Sequence, residues 1–153
     1  MITDESLKRK STPQQAAKTT APFDNLNELL LTILKFTHRR QRILAANIRS
    51  ADIPSFVPQD LPCEQFASIL NIALDEHLCT DRLLFADTPN IKFLGAGRLE
   101  VNPVVDLCAA DLLKTDKEKY IRFQVRKLVE NALNQRFAAG LLRQRQPAPA
   151  GRN

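Results

Sequence analysis

The side chains best suited to catalysis or metal binding are few and lie far apart along the chain. Cys63, Cys79 and Cys108 form no C-x-x-C pair, and neither His38 nor His77 has a second histidine four residues away. Zinc sites use closely spaced ligands, and disulfide frameworks use an even number of cysteines. We therefore expect no metal site and no disulfide framework.

A thiol–imidazole pair and a phosphate-binding loop are the other arrangements to test. Cys79 and His77 are two residues apart, and side chains at that spacing on a helix do not face each other. Gly95-Ala96-Gly97 lacks the third glycine and the following Lys-Ser/Thr of a phosphate-binding loop. We expect no catalytic residues and no cofactor, and predict that the protein is not an enzyme.

The basic side chains, Lys and Arg, are the most concentrated chemical feature of the sequence. Segment 35–49 contains five bases and no acid, segment 50–115 contains four bases and ten acids, and segment 116–145 contains eight bases and three acids. A basic helix is typical of nucleic-acid binding, which is one alternative. Against it, no stacking aromatics lie among the bases and no helix-turn-helix pattern is present. An acidic face on a neighbouring copy would neutralise the same bases.

Composition favours a single, mainly helical domain. The chain has 153 residues, of which 44% are hydrophobic but only 6% aromatic, and it contains four glycines. So few glycines and aromatics argue against a β-sandwich or a glycine-rich nucleotide fold. No apolar run approaches the 18 or so residues of a membrane-spanning helix, so we predict no transmembrane segment.

Two long helices at opposite ends of the chain are predicted from apolar residues spaced by four and three. The first, over about 24–51, begins at Asp24 or Asn25 and ends before Pro54. The second covers about 116–143. The seam of the first helix is Leu26, Leu30, Ile33, Thr37, Arg40, Leu44 and Asn47. The seam of the last helix is Ile121, Val125, Leu128, Ala132, Gln135, Ala139 and Leu142.

The long helices are predicted to pack as an antiparallel, coiled-coil-like hairpin. The middle is then a partly flexible insertion, with a short helix over about 63–79 and a small β-hairpin over about 91–101. We predict a folded domain over 23–143 and disordered tails over 1–22 and 144–153. Two helices with such broad seams leave apolar surface uncovered, which indicates an assembly contact.

The end of the first helix carries a recognisable motif. Segment 40–56 resembles the N-terminal signature of bacterial flagellar axial proteins, most closely proximal rod proteins of the FlgB type. The matching positions are Ala46, Asn47, Ile48, Asp52, Pro54 and Phe56. The departures are Arg49, Ser50, Ile53 and Ser55. Segment 102–107, followed by a long helix, is similar to the segment before the C-terminal helix of that family.

The resemblance implies a structural subunit of the flagellar basal-body rod. Such subunits polymerise through their terminal helices into the axial drive shaft. They reach the periplasm-spanning rod through type III export, without a cleaved signal peptide. The implied partners are copies of the chain, other rod proteins, and membrane-ring and export-apparatus components, with no small-molecule substrate. A secretion-associated chaperone or another axial subunit is a further alternative.

The resemblance also implies roles for individual residues. Asn47 and Pro54 would cap and turn the chain at the helix end, and Phe56 would contact a neighbour. Arg39, Arg40 and Arg42 would be neutralised by an acidic partner surface. The expected assembly interface comprises Leu26, Leu30, Ile33, Arg39, Arg40, Arg42, Leu44, Ile121, Val125, Leu128, Ala132, Ala139 and Leu142.

Overall fold

A computed structural model describes residues 24–146, and the predicted mainly helical fold is confirmed. The helices are α1 (Asn25–Arg49), α2 (Cys63–Thr80), α3 (Leu107–Thr115) and α4 (Lys117–Arg145). The strands are β1 (Gln59–Asp60), β2 (Ile91–Gly95), β3 (Arg98–Val101) and β4 (Val104–Val105). β2 and β3 form an antiparallel hairpin, and β1 pairs antiparallel with β4. The predicted tail 1–22 and residues 147–153 lie outside the described residues.

An aspartate caps three of the helices. Oδ1 of Asp24, Asp106 and Asp116 accepts a hydrogen bond from a backbone N–H in the first turn of α1, α3 and α4 respectively. α1 ends two residues earlier than predicted, and α4 runs two residues further, to Arg145. Arg145 contacts Asp24 and donates from Nε to Asn27 Oδ1 at 2.8 Å. Residues 144 and 145 are therefore helical, and their prediction as tail is wrong.

Three elements, α3, β1 and β4, are absent from the sequence prediction. α3 has only nine residues, too few for a periodic pattern to be evident, and it is separated from α4 by Asp116 alone. Strand β1 pairs with β4 through Gln59 opposite Val105 and Asp60 opposite Val104. This short sheet holds the segment that follows α1 against the segment that precedes α3.

Helices α1 and α4 contact each other along their lengths. Asn131 Nδ2 donates to the Thr37 carbonyl at 2.7 Å, and the Tyr120 hydroxyl donates to the Asn47 carbonyl at 2.8 Å. Asn27 and Arg145 form a third contact at the other end of the two helices. Across the three contacts, residue numbers increase along α1 as they decrease along α4.

The buried face of α4 differs from the predicted seam. Its buried residues are Tyr120, Gln124, Asn131 and Ala138. Each of the four lies one residue before a residue of the predicted seam. The predicted residues Val125 and Ala132 are exposed. Hydrogen bonds fix this face against α1: Gln124 Oε1 accepts from the buried Asn47 amide, and Tyr120 and Asn131 donate to backbone carbonyls of α1.

The hydrophobic core lies between α1, α2 and the hairpin. The rings of Phe36 and Phe66 stack with their centroids 3.8 Å apart. Around them are Leu61, Ile69, Ile91 and Val101. Because Ile91 and Val101 are the paired outer ends of β2 and β3, the hairpin is anchored in the core. It is not the loosely attached part of an insertion that the sequence suggests.

Candidate functional site

The turn after α1 contains the motif found in the sequence. The Ser50 N–H donates to the Ala46 carbonyl at 2.9 Å and closes the helix. The chain then bends through Ile53, whose N–H donates to the Ser50 carbonyl, and through Ser55, which has a left-handed φ of 62°. Pro54 is exposed within this bend, as expected of a turn residue.

Asn47 does not cap the helix end, contrary to the prediction. Its side chain is buried and reaches across to the segment beyond the turn. Asn47 Nδ2 donates to the Gln59 carbonyl at 2.7 Å, and Oδ1 accepts from the Gln59 N–H at 3.3 Å. Nδ2 also donates to Gln124 Oε1 at 3.1 Å. Asn47 therefore joins α1, β1 and α4, and Ser50 occupies the cap position.

The other motif residues lie near the α3–α4 junction. Asp52 forms an exposed ion pair with Lys117, the first residue of α4. Phe56 is half-buried and lines a groove of about 510 Å³ shared with Ala110 and Leu113 of α3. Ala46 and Ile48 are half-buried within α1. The structure thus brings Asp52, Pro54 and Phe56 together at one end of the domain.

A largely buried cluster of four charges joins α1, β1, the start of α3 and α4. Arg40 donates from Nε and a terminal nitrogen to the two carboxylate oxygens of Asp60, each at 2.9 Å. Lys127 Nζ donates to Asp60 Oδ2 at 2.9 Å and to Asp106 Oδ2. The Leu61 N–H adds a 2.7 Å bond to Asp60 Oδ1. The two positive and two negative charges balance within the cluster.

Mutual interaction stabilises the charged forms of this cluster. Burial alone would lower the pKa of Arg40 and of Lys127 and raise that of Asp60. The hydrogen bonds and opposite charges outweigh burial, so the pKa of Asp60 is lowered and those of both bases are raised. This arrangement is typical of a structural ion pair, since the pKa shifts of Arg40, Asp60 and Lys127 all favour the charged form.

Arg40 therefore has a different environment from Arg39 and Arg42, its neighbours in the sequence. Its acid does lie outside α1, but it is Asp60 of the same chain, which pairs with Arg40 through two hydrogen bonds, and not the expected acidic surface of a partner. Arg39 and Arg42 are exposed, and with Lys35 they form no ion pair among residues 24–146. These three bases surround a groove of about 510 Å³ between α1 and α4. This basic groove is lined by Leu31, Leu34, Lys35, His38, Arg39, Arg42 and Gln135.

The predicted interface residues other than Arg40 fall into three groups. Leu44 is fully buried and Leu30 nearly so, which means that they are core residues and cannot contact a neighbour while the domain stays folded. Leu26, Ile33, Ile121, Leu128, Ala139 and Leu142 are half-buried. Only Arg39, Arg42, Val125 and Ala132 are exposed.

An apolar row that the prediction largely missed runs along the outside of α4. It consists of Val125, Val129, Leu133 and Phe137, spaced four residues apart, and Phe137 is 71% exposed. We call it the α4 row. Side chains four residues apart on a helix lie one above the other, so the row is continuous. The four-residue spacing of these apolar side chains is visible in the sequence. The buried face of α4 lies one residue away from the predicted one, so the sequence alone does not show that the row faces outward.

Several buried polar residues escaped the sequence prediction. Asp60, Asp106, Tyr120, Gln124, Lys127 and Asn131 all contact α1 or β1 directly or through the charge cluster. A usable signal was Asn47 in the polar second half of the α1 seam, because a buried amide requires polar partners on neighbouring elements. Burial raises the pKa of the Tyr120 hydroxyl to about 12, which keeps it a neutral donor to Asn47.

The described part of the chain contains no arrangement suited to a metal or a reactive thiol. No group of three or more His, Cys, Asp or Glu within 24–146 is placed to hold a metal ion. Burial raises the pKa of the Cys63 thiol to about 11, and Cys79 and Cys108 lie exposed on different helices. None of the helices in this part is long and apolar enough to cross a membrane.

Comparison with known proteins identifies no relative of this chain: no protein-family model, curated protein or solved structure matches it significantly. The features that bear on function are therefore the turn after α1, the charge cluster, the basic groove and the α4 row.

Proposed function

We propose that the chain is a structural subunit of the bacterial flagellar rod, assembling into the axial drive shaft. The observation that carries the proposal is the α4 row, an uncovered apolar strip on one of the two terminal helices. Exposed apolar strips of this kind mark contacts between proteins. The terminal helices act as an antiparallel, coiled-coil-like hairpin that presents this strip to neighbouring subunits.

The turn after α1 supports the same proposal. The motif shared with flagellar axial proteins coincides with an actual change in chain direction at Ser50–Phe56, held by Asn47 and Gln59. Copies of the chain and other rod proteins are the proposed partners. The proposed location is the basal body, reached by type III export.

The test is to tag the protein in its own flagellated cells and isolate hook–basal bodies. We expect the tagged protein to remain with the rod after detergent extraction. Replacing Leu133 and Phe137 by Gln should remove it from the rod, while Leu107→Gln, which changes an exposed leucine on α3, should not. A wild-type protein absent from basal bodies would contradict the proposal.

Nucleic-acid binding is the second candidate. It is favoured by Lys35, Arg39 and Arg42 of the basic groove, whose side chains form no ion pair among residues 24–146. A protein that neutralises several phosphates loses affinity steeply as salt rises, with a slope of about −0.9 per phosphate contact in a log–log plot. Salt-dependent duplex binding at physiological ionic strength that is abolished by Arg39→Glu with Arg42→Glu would support this function instead of the rod.

A further inference from the structure

The charges of α1 and α2 are segregated along the chain. Segment 51–81, which includes α2, contains six acids and no Lys or Arg, whereas segment 35–49 of α1 contains five bases and no acid. Two of those acids and one of those bases pair within the domain, through Asp60 with Arg40 and through Asp52 with Lys117. The remaining Lys and Arg side chains of segment 35–49 and the remaining carboxylates of segment 51–81 therefore form two regions of opposite charge.

The outer surface of α2 combines acids with exposed apolar side chains. Phe66, Ile69 and Ala73 face the core. On the opposite side lie Glu64, Ile72, Asp75 and Leu78, which we call the acidic face. Ile72 is 65% exposed and Leu78 is 73% exposed. The acidic face therefore offers exposed apolar area together with negative charge.

The basic groove has the complementary composition. Leu31 and Leu34 provide apolar lining, and Lys35, Arg39 and Arg42 provide positive charge. Lys35 and Arg42 are seven residues apart, about 10.5 Å along the axis of α1, and Glu64 and Asp75 are eleven residues apart, about 16.5 Å along the axis of α2. The positive charges therefore cover about two turns of α1, and the negative charges cover about three turns of α2.

We propose that the acidic face of one copy docks in the basic groove of a second copy. The inference rests on the proposed function, and it names a subunit contact of that assembly separate from the α4 row. The two surfaces differ and lie on different helices, so the contact is heterologous. Each docked copy keeps one acidic face or one basic groove available, which allows an open chain of subunits.

Disulfide trapping tests this docking directly, because Cys79 follows Leu78 and is exposed beside the acidic face. One copy carries Lys35→Cys with Cys79→Ser and Cys108→Ser, and the other carries Cys108→Ser alone. Under mild oxidation of the mixed proteins, we expect a covalent heterodimer joined through residue 35 and Cys79. Arg122→Cys replaces an exposed base of α4 and is the matched control, for which no such product should form.

Charge reversal tests the same contact without a cross-link. Arg39→Glu with Arg42→Glu in the full chain, or Glu64→Lys with Asp75→Lys, should each weaken self-association about tenfold or more, because like charges then face each other. Mixing the two variants should restore association in a one-to-one complex. Lys119→Glu with Arg122→Glu makes the same change in charge on exposed bases of α4 and should leave association unchanged.

Separate outcomes distinguish this proposal from the rod function. A heterodimer through Cys79 supports the docking even if the protein is absent from basal bodies, which would contradict only the proposed function. A protein that assembles into the rod but gives no heterodimer and no rescue on mixing overturns the docking. Binding of duplex DNA in the groove, with no effect of reversing Glu64 and Asp75, overturns it as well.

Discussion

Asp60 is the residue on which the largest number of elements depends. Its carboxylate accepts hydrogen bonds from Arg40 of α1, from Lys127 of α4 and from the Leu61 N–H, and Lys127 links it to Asp106 at the start of α3. A buried charge is costly unless all its partners are present, because removing one partner leaves the others uncompensated. Replacing any one of the two bases or two acids leaves an opposite charge without its partner. Each of the four residues is therefore sensitive to substitution.

Asp60→Asn should strongly destabilise the domain. The amide cannot neutralise Arg40 and Lys127, and breaking a buried ion pair in this way costs about 3–5 kcal/mol. Asp52→Asn is the control, since the Asp52–Lys117 pair is exposed and worth about 0–1 kcal/mol. Urea unfolding of the two variants measures both values. Equal, small losses would show that the cluster contributes little to stability.

The stability conferred by Asp60 should depend on pH. Because the folded-state pKa of Asp60 lies below its unfolded value, its contribution is fully present above about pH 4 and is lost as the pH falls through the lowered folded-state pKa. The difference in unfolding free energy between wild type and Asp60→Asn should therefore be constant from pH 7 to pH 5 and should shrink below about pH 4. A difference that stays constant to pH 3 would contradict the lowered pKa.

At the scale of elements, the β-hairpin depends on how closely its turn approaches α1. Gly95, Ala96 and Gly97 all have positive φ. A Cβ on Gly97 would lie 2.5 Å from Leu31 Cβ, whereas a Cβ on Gly95 would have nothing within 4 Å. The turn therefore requires glycine for two reasons at position 97 and for one reason at position 95.

This difference gives a matched pair of variants. Gly95→Ala and Gly97→Ala both place alanine at an unfavourable positive φ, but only Gly97→Ala also forces the hairpin away from Leu31. We expect Gly97→Ala to lower the unfolding free energy by about 1–3 kcal/mol more than Gly95→Ala. Thermal and urea unfolding measure the difference. Equal losses would mean that the hairpin turn does not press on α1.

The elements also show what sequence patterns can determine. The hairpin and α2 are predictable because alternation, a glycine turn and an amphipathic run are local signals. The side of α4 that faces α1 is not predictable in this way, since residues 121, 125, 132 and 139 have the same spacing as the buried residues 120, 124, 131 and 138. The choice is made by hydrogen bonds from Asn131 to Thr37 and from Tyr120 to Asn47, which depend on tertiary contacts.

The candidate site follows the same division. The motif around Pro54 and the concentration of bases on α1 are local and predictable. The pairing of Arg40 with Asp60 is not, because residues 20 apart are brought together only when β1 folds back on α1. Arg39 and Arg42 consequently differ from Arg40 in exposure and in pairing, although the three lie within one turn of the same helix.

For the whole molecule, the polar interior and the apolar exterior of α4 are two consequences of one packing choice. Burying Tyr120, Gln124 and Asn131 satisfies the polar half of α1, but it turns the α4 row outward. The Gln124 Nε2 atom is buried without a hydrogen-bond partner among the described residues, an arrangement that costs about 1–3 kcal/mol. The outward-facing α4 row is the surface that the proposed association of folded copies would cover.

Association through the α4 row should make the stability of the wild-type protein depend on concentration. Binding between folded copies stabilises the folded state by mass action, so the thermal midpoint should rise over about a hundredfold increase in protein concentration. Replacing Val129, Leu133 and Phe137 together by Gln should abolish this rise. In dilute solution the variant should differ from wild type by only about 0.5 kcal/mol for each exposed substitution, because the replaced side chains lie outside the core. Leu107→Gln should keep the concentration dependence, and a wild-type midpoint that does not change with concentration would contradict assembly through this row.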